Sequence, residues 1–136
     1  MNPHISVVTI GVSDLSRAKR FYGEGLGWPI AVDQGQFVNF APAEGSSGLA
    51  LYPMQALAGD AGVDAAGSGF RGVTFNYFVR SDDRVDAVLA DAERAGATIL
   101  KPATQARWGG YSGHFADPDG YIWKVVVATE GQAFSE

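Results

Sequence analysis

Apolar positions along the chain alternate between two spacings, one that suits strands and one that suits helices. Ile5-Ser6-Val7-Val8-Thr9-Ile10 is short, β-branched and apolar, which predicts a buried strand. Gly11 to Asp14 closes it, with Ser13 placed to cap a helix and Asp14 favourable in that helix's first turn. Over residues 14–24, Leu15, Ala18, Phe21 and Tyr22 recur at helical spacing, while Arg17, Lys19 and Arg20 take the outer face. Gly25 and Gly27 stop this helix. Three short strands are then predicted at residues 30–32, 37–41 and 49–52, separated by Gly- and Ser-containing turns.

Residues 54–70 break the pattern, being rich in Ala, Gly and Asp without a sustained period. They predict a connector, with at most one helical turn at residues 54–58, and read equally as a functional loop or a tolerated surface insertion. The second half then repeats the first. Residues 72–79 predict a strand, and Ser81 or Asp82 caps a helix through Ala95 whose buried stripe is Val85, Val88, Leu89 and Ala92. Gly96 gives the exit. Residues 99–102 read as an edge strand, where Pro102 is allowed. Asp117-Pro118-Asp119-Gly120 is a turn, flanked by strand-like residues 111–116 and 121–128, hence a hairpin. The fold class is therefore α+β, with two tandem βαβββ modules in a single domain spanning 1–136. Module one covers about 5–53, the connector about 54–70 and module two about 71–128.

Composition narrows the function. The chain has no cysteine, which excludes disulfides, thiolate metal sites and a cysteine nucleophile and fits a cytoplasmic location. The N-terminal residues show no basic, then apolar, leader and no membrane span. A formal net charge of −5 disfavours nucleic acid and anionic membranes as partners and tolerates a neutral or cationic small molecule. No phosphate-cradling glycine loop and no nucleophile triad is evident.

Two βαβββ units, Val12-Ser13-Asp14-Leu15 opening the first helix, Phe21-Tyr22 closing it and Asp117-Pro118-Asp119-Gly120 before the last strand resemble the vicinal oxygen chelate superfamily. That group includes glyoxalase I, extradiol dioxygenases, fosfomycin-resistance thiol transferases and bleomycin-resistance proteins. The resemblance covers residues 6–127 and implies eight strands curled into a cupped, half-open sheet with helices outside, assembled as a homodimer. It also implies a divalent metal held from four strand positions, which fall here at Val7, Tyr52, Thr74 and Lys124. None is His, Asp or Glu, and a one-residue shift supplies none. The expectation is thus no metal and no cofactor.

The candidate ligand-binding residues are Thr9, Tyr52, Asn76, Trp108, Tyr111, His114 and Lys124; no catalytic residue is assigned. Lys124 either pairs with a ligand carboxylate or acts as a base or nucleophile, unless its strand is slipped and it reaches solvent. Trp108 and Tyr111, on a Gly-rich approach, either wall a cavity or pack in a core. Asn76 interrupts an apolar strand, and a buried amide there needs partners. His114 is ambiguous. The position three before the turn Asp faces the ligand in the thiol-transferase relatives. A hairpin closed through Asp117 and Gly120 instead sets His114 opposite Trp123, away from Lys124, unless a bulge intervenes. The resulting expectation is a metal-independent, dimeric binder of a small organic ligand, similar to bleomycin-resistance proteins. The alternative is a lyase, isomerase or dioxygenase-type enzyme with a non-standard site.

Overall fold

In the computed structural model, residues 1–107 and 109–136 are described. The chain forms two compact units, Met1–Gly67 and Ser68–Glu136. Each carries a four-stranded mixed sheet, with strand orders β1-β4-β3-β2 and β5-β8-β7-β6. The same strand–helix–three-strand order occurs in both, so the sequence repeat is a topological repeat.

In the first unit, β1 (Val7–Val12) runs parallel to the central β4 (Gly48–Pro53), and β3 (Val38–Phe40) and β2 (Ile30–Asp33) continue antiparallel. The cap of α1 (Leu15–Lys19) is Asp14, not Ser13: its carboxylate accepts from Arg17 N–H at 3.0 Å. After Lys19 the helix widens into a π-helical segment, Arg20–Gly25, which keeps Phe21 and Tyr22 buried. Tyr22 packs on Trp28 and Phe40 at ring separations of 5.2 and 5.9 Å. Ile10, Val12, Val38, Phe40 and Leu51 complete this apolar layer. The predicted connector holds more order than one turn. Met54–Ala61 is an eight-residue helix, α2, ended by Gly62 at φ 72°. Met, Leu and three Ala supply the propensity, and the left-handed Gly supplies the stop.

In the second unit, β5 (Thr74–Val79) pairs parallel with β8 (Ile122–Val127), which pairs antiparallel with β7 (Tyr111–Ala116). Edge strand β6 runs over Thr98–Gln105, longer than residues 99–102, and carries Pro102 within it. Helix α3 (Asp82–Ala95) is capped by Ser81, whose hydroxyl accepts from Arg84 N–H, and ends at Gly96 with φ 115°. It covers one sheet face by burying Val85, Leu89 and Ala92. The outer edge of β5 is also covered: Ser135 N–H donates to Phe78 O and Arg80 N–H donates to Glu136 O. The Glu136 carboxylate accepts from Tyr77 Oη at 2.6 Å and from Arg84.

Under α3, β7 must come close to both the helix and β6. A methyl group at Gly113 would lie 2.5 Å from Leu89 Cδ1 and 3.0 Å from Ala103 N and Lys101 O. The leucine tip can rotate away, but the β6 backbone cannot. Gly113→Ala should therefore cost about 1–3 kcal/mol of stability by overpacking. Urea denaturation checks this against Gly59→Ala in α2, where nothing lies within 4 Å and a gain of about 0.4–1 kcal/mol is expected.

Candidate functional site

The hairpin turn sets the geometry of the second sheet. Asp117 N–H donates to Tyr121 O at 2.9 Å, so Asp117 faces Tyr121, not Gly120. Gly120 sits at φ 89°. A three-residue loop whose last member is left-handed closes the hairpin, an arrangement that favours glycine there. Asp117 is 4% exposed, and its Oδ1 accepts from the N–H groups of Asp119 and Tyr121, each at 2.9 Å. The pairing therefore shifts by one residue from the simple hairpin. His114 lies opposite Lys124, and Phe115 lies opposite Trp123. Trp123 is on the helix side, 5.0 Å from the Phe75 ring and stacked on Phe115.

Lys124 pairs in turn with Asn76 on β5, and His114 pairs with Lys101 on β6. Paired residues in a sheet point to the same face. Asn76, Lys124, His114 and Lys101 thus form one polar row across four strands, on the face opposite α3. His114 and Lys124 are half-buried, whereas Asn76 and Lys101 are exposed. The Asn76 amide is therefore not the buried group that its apolar strand suggests. Its strand buries only Val79 fully.

Lys101 was invisible to alternation. Ile99 pairs with Phe115 on the helix side, so a regular strand would carry Lys101 to that side too. Leu100 is an extra residue between Ile99 and Lys101, and this bulge turns Lys101 to the His114 face. Tyr111 goes the other way. It lies on the helix side with its hydroxyl donating to Asp86 of α3 at 2.7 Å, and this bond raises its pKa. It does not join the polar row. Trp108 lies outside the described residues.

In the first unit Thr9 pairs with Ala50 and Gly11 pairs with Tyr52, so Thr9 and Tyr52 share one face of that sheet. Tyr52 is half-buried, its ring 6.1 Å from Phe37. Asn39 joins the same row as Thr9 through Ala50, and its Oδ1 is buried without a hydrogen-bond partner among the described residues. The signal that singled out Asn76, an amide inside an apolar strand, is present at Phe37-Val38-Asn39-Phe40 as well.

His114 is the most perturbed group of the row. Burial first, then the charges of Lys124 and Lys101, hold its pKa below the ordinary histidine value. Its Nδ1 is buried with no hydrogen-bond partner among the described residues. At neutral pH the imidazole is therefore neutral, with one nitrogen available to exchange a proton or a hydrogen bond.

The sequence profile of the Glyoxalase/Bleomycin resistance protein/Dioxygenase superfamily matches residues 4–125. The chain belongs to this superfamily. A glyoxalase-related enzyme from Fulvimarina pelagi is 28% identical and superposes with TM-score 0.83 over 99% of each chain. A glyoxalase/bleomycin resistance protein/dioxygenase from Nocardioides, 22% identical, gives TM-score 0.79 over 100% of this chain and 90% of its own. A lactoylglutathione lyase from Agrobacterium tumefaciens shares the fold at TM-score 0.68 and 18% identity, over 93% of this chain and 95% of its own. No curated protein matches in sequence.

The superfamily's metal positions put Val7 and Tyr52 on one face of the first sheet, and Thr74 and Lys124 on one face of the second. An alkyl group, a phenol, an alcohol and an ammonium do not fit a divalent cation, which needs imidazole, carboxylate or thiolate donors. No group of three or more His, Asp or Glu that could hold a metal occurs among the described residues.

An NMR titration should place the His114 pKa below about 6.5, the ordinary value. It should rise in Lys124→Gln and in Lys101→Gln, since each removes a repelling charge. The sign for stability follows. The unfolded chain takes up this proton first as pH drops, so the His114 contribution destabilises the fold below the ordinary histidine pKa. Lys124→Gln should weaken that pH dependence.

Proposed function

We propose that this chain is a metal-independent small-molecule-binding protein, with its ligand seated on the polar row of the second sheet. One observation carries the reading: Asn76, Lys124, His114 and Lys101 meet in register on a face that α3 leaves uncovered, and His114 Nδ1 there lacks a partner. Buried polar groups without partners are rare, and a ligand group is one way to satisfy them. The unsuitable donor set at the superfamily's metal positions supports metal independence. Thr9, Tyr52 and Asn39 form a second, uncharged set on the first sheet.

A cytoplasmic homodimer is the state we assign to it. The absence of cysteine supports the compartment. Exposed apolar side chains on each unit, Val7 and Val32 on the first and Phe70 and Val73 on the second, support contact with another copy. A second reading, a lyase or isomerase, has one observation in its favour. A neutral imidazole between two ammonium groups can accept a proton from carbon while the ammonium groups stabilise the resulting oxyanion.

Elemental analysis of purified protein should find no stoichiometric zinc, iron or manganese, and added metal should leave the unfolding temperature unchanged. A library of neutral, anionic and cationic organic compounds should contain members that raise it, by about 2.7 kcal/mol of apparent stability at a hundredfold excess over Kd. Bound metal with stoichiometric occupancy at Val7, Tyr52, Thr74 or Lys124 would overturn metal independence. Turnover of any bound compound would move the assignment to the enzyme reading.

A further inference from the structure

The two rows that flank the polar row decide what it can hold. One is Thr98, Ala116, Ile122 and Thr74; the other is Thr104, Ser112, Val126 and Phe78. Neither contains Asp or Glu. Two acidic residues of this unit serve other contacts: Asp86 of α3 bonds to Tyr111 on the opposite face, and Asp117 bonds to the backbone of its own turn. Across these three rows the ionisable side chains are Lys101, His114 and Lys124, in a chain of net charge −5. Half-buried Ile122 and Phe78 border it with apolar side chains.

We infer that the ligand of this face is an organic oxyanion, a carboxylate, sulfonate or phosphate on a small apolar body, seated across Lys101, His114 and Lys124. This inference rests on the binding function proposed above. Three physical reasons select an anion. The ammonium groups of Lys101 and Lys124 flank His114 from β6 and β8 and attract negative charge, while a ligand ammonium would meet repulsion from both. An oxyanion gives His114 Nδ1 the acceptor it lacks, once that nitrogen carries a proton. The apolar border removes the body of such a ligand from water, and Asn76 offers an amide donor at the far end of the row.

Binding and proton uptake are then linked. The groups that face His114 are Lys101 from β6 and Lys124 from β8; β5 contributes the neutral Asn76, and α3 lies behind the sheet. An anion offsets both repelling charges, so it favours imidazolium. Affinity should rise as pH falls toward the His114 pKa.

Benzoate, benzenesulfonate, phenyl phosphate, benzamide and benzylammonium form a panel that varies charge at nearly constant shape. Titration calorimetry and His114 side-chain NMR on the full chain should show binding of at least one anion, with His114 resonances shifted and its pKa raised. Which of the three binds identifies the oxyanion class. Benzamide and benzylammonium should bind at least tenfold more weakly. Lys124→Gln and Lys101→Gln should each weaken the anion about tenfold, the scale of one charge-assisted hydrogen bond. Lys19→Gln, whose lysine pairs with Asp33 in the first unit, should change nothing. Thermal unfolding verifies that each variant is folded, and the two lysine variants carry the test if His114→Gln is not. The inference fails if benzamide or benzylammonium binds as well as the anions. It also fails if the anions leave His114 unshifted, or if Lys19→Gln weakens binding as much as Lys124→Gln. Should no panel member bind while the wider library yields a neutral or cationic ligand, the anion assignment falls and the binding function stands. No ligand of any charge sinks both.

Discussion

The constraint on which the site depends is the left-handed backbone of Gly120. At φ 89° it closes a three-residue loop, and the buried Asp117 carboxylate locks that loop by accepting two backbone N–H groups. A two-residue turn through the same four residues would move the register of β7 against β8 by one. Because strand side chains alternate, that shift would put Gly113 in place of His114 opposite Lys124 and set His114 opposite Trp123. No imidazole would then sit beside the lysine, and His114 would join Trp123 on the side of α3. One glycine conformation thus decides whether the second sheet has a polar face. The close approach at Gly113 acts in the same direction from below. It lets α3 press on β7, so the helix side is filled.

Much of this architecture was legible in the sequence because it rests on local rules. The helices in both halves followed from apolar spacing, and Ser81 and Gly96 marked the second one at both ends. The alternation of β5 and β8 placed Asn76 and Lys124 on one face, where they are. What escaped was set by irregularity. The turn of Asp117–Gly120 was recognised, but its loop length was not, since Pro-Asp-Gly suits two closures. Lys101 was hidden by the extra residue Leu100, which no periodicity announces. Tyr111 sits next to flexible glycines and looked free to lean over a cavity; its partner, Asp86, lies 25 positions away in sequence. The helix of residues Met54–Ala61 was masked by the glycines and aspartates around it, although its own Ala and Leu content favours it. Asn39 carries the same readable signal as Asn76, an amide inside an apolar strand, and was not singled out.

The chain's overall charge pointed away from the site's chemistry. Net negative charge governs solubility and long-range encounter, but binding is decided within a Debye length, about 8 Å under physiological salt. At that scale the second sheet offers two ammonium groups and an imidazole with no carboxylate in the adjoining rows. The acidic groups of this unit serve the fold instead. Asp82 and Asp83 lie in the first turn of α3, where its dipole favours them, Glu136 holds the β5 edge through Tyr77 and Arg84, and Asp117 holds the turn. Composition averages over these roles and so reports the opposite sign from the face that matters.

The two sheets share one topology and have diverged in chemistry. In the first, the face opposite Ile10, Val38 and Leu51 carries Val7, Thr9, Asn39, Gly48, Ala50 and Tyr52, none of them His, Lys, Arg, Asp or Glu. In the second, the corresponding face carries Lys101, His114, Lys124, Asn76 and Thr74. A metal site in this superfamily draws donors from both halves, so it requires both to keep carboxylate or imidazole at matching places. At the positions the family resemblance points to, neither half carries such a donor: valine and tyrosine stand in one, threonine and lysine in the other. Loss of donors alone would leave inert side chains. Lysine at the last position goes further, because it replaces attraction for a cation with attraction for an anion at the same point in the sheet. On the anion reading proposed above, that replacement changes what the fold can bind, and His114, its pKa held down by burial and by the two lysines, makes the change sensitive to pH.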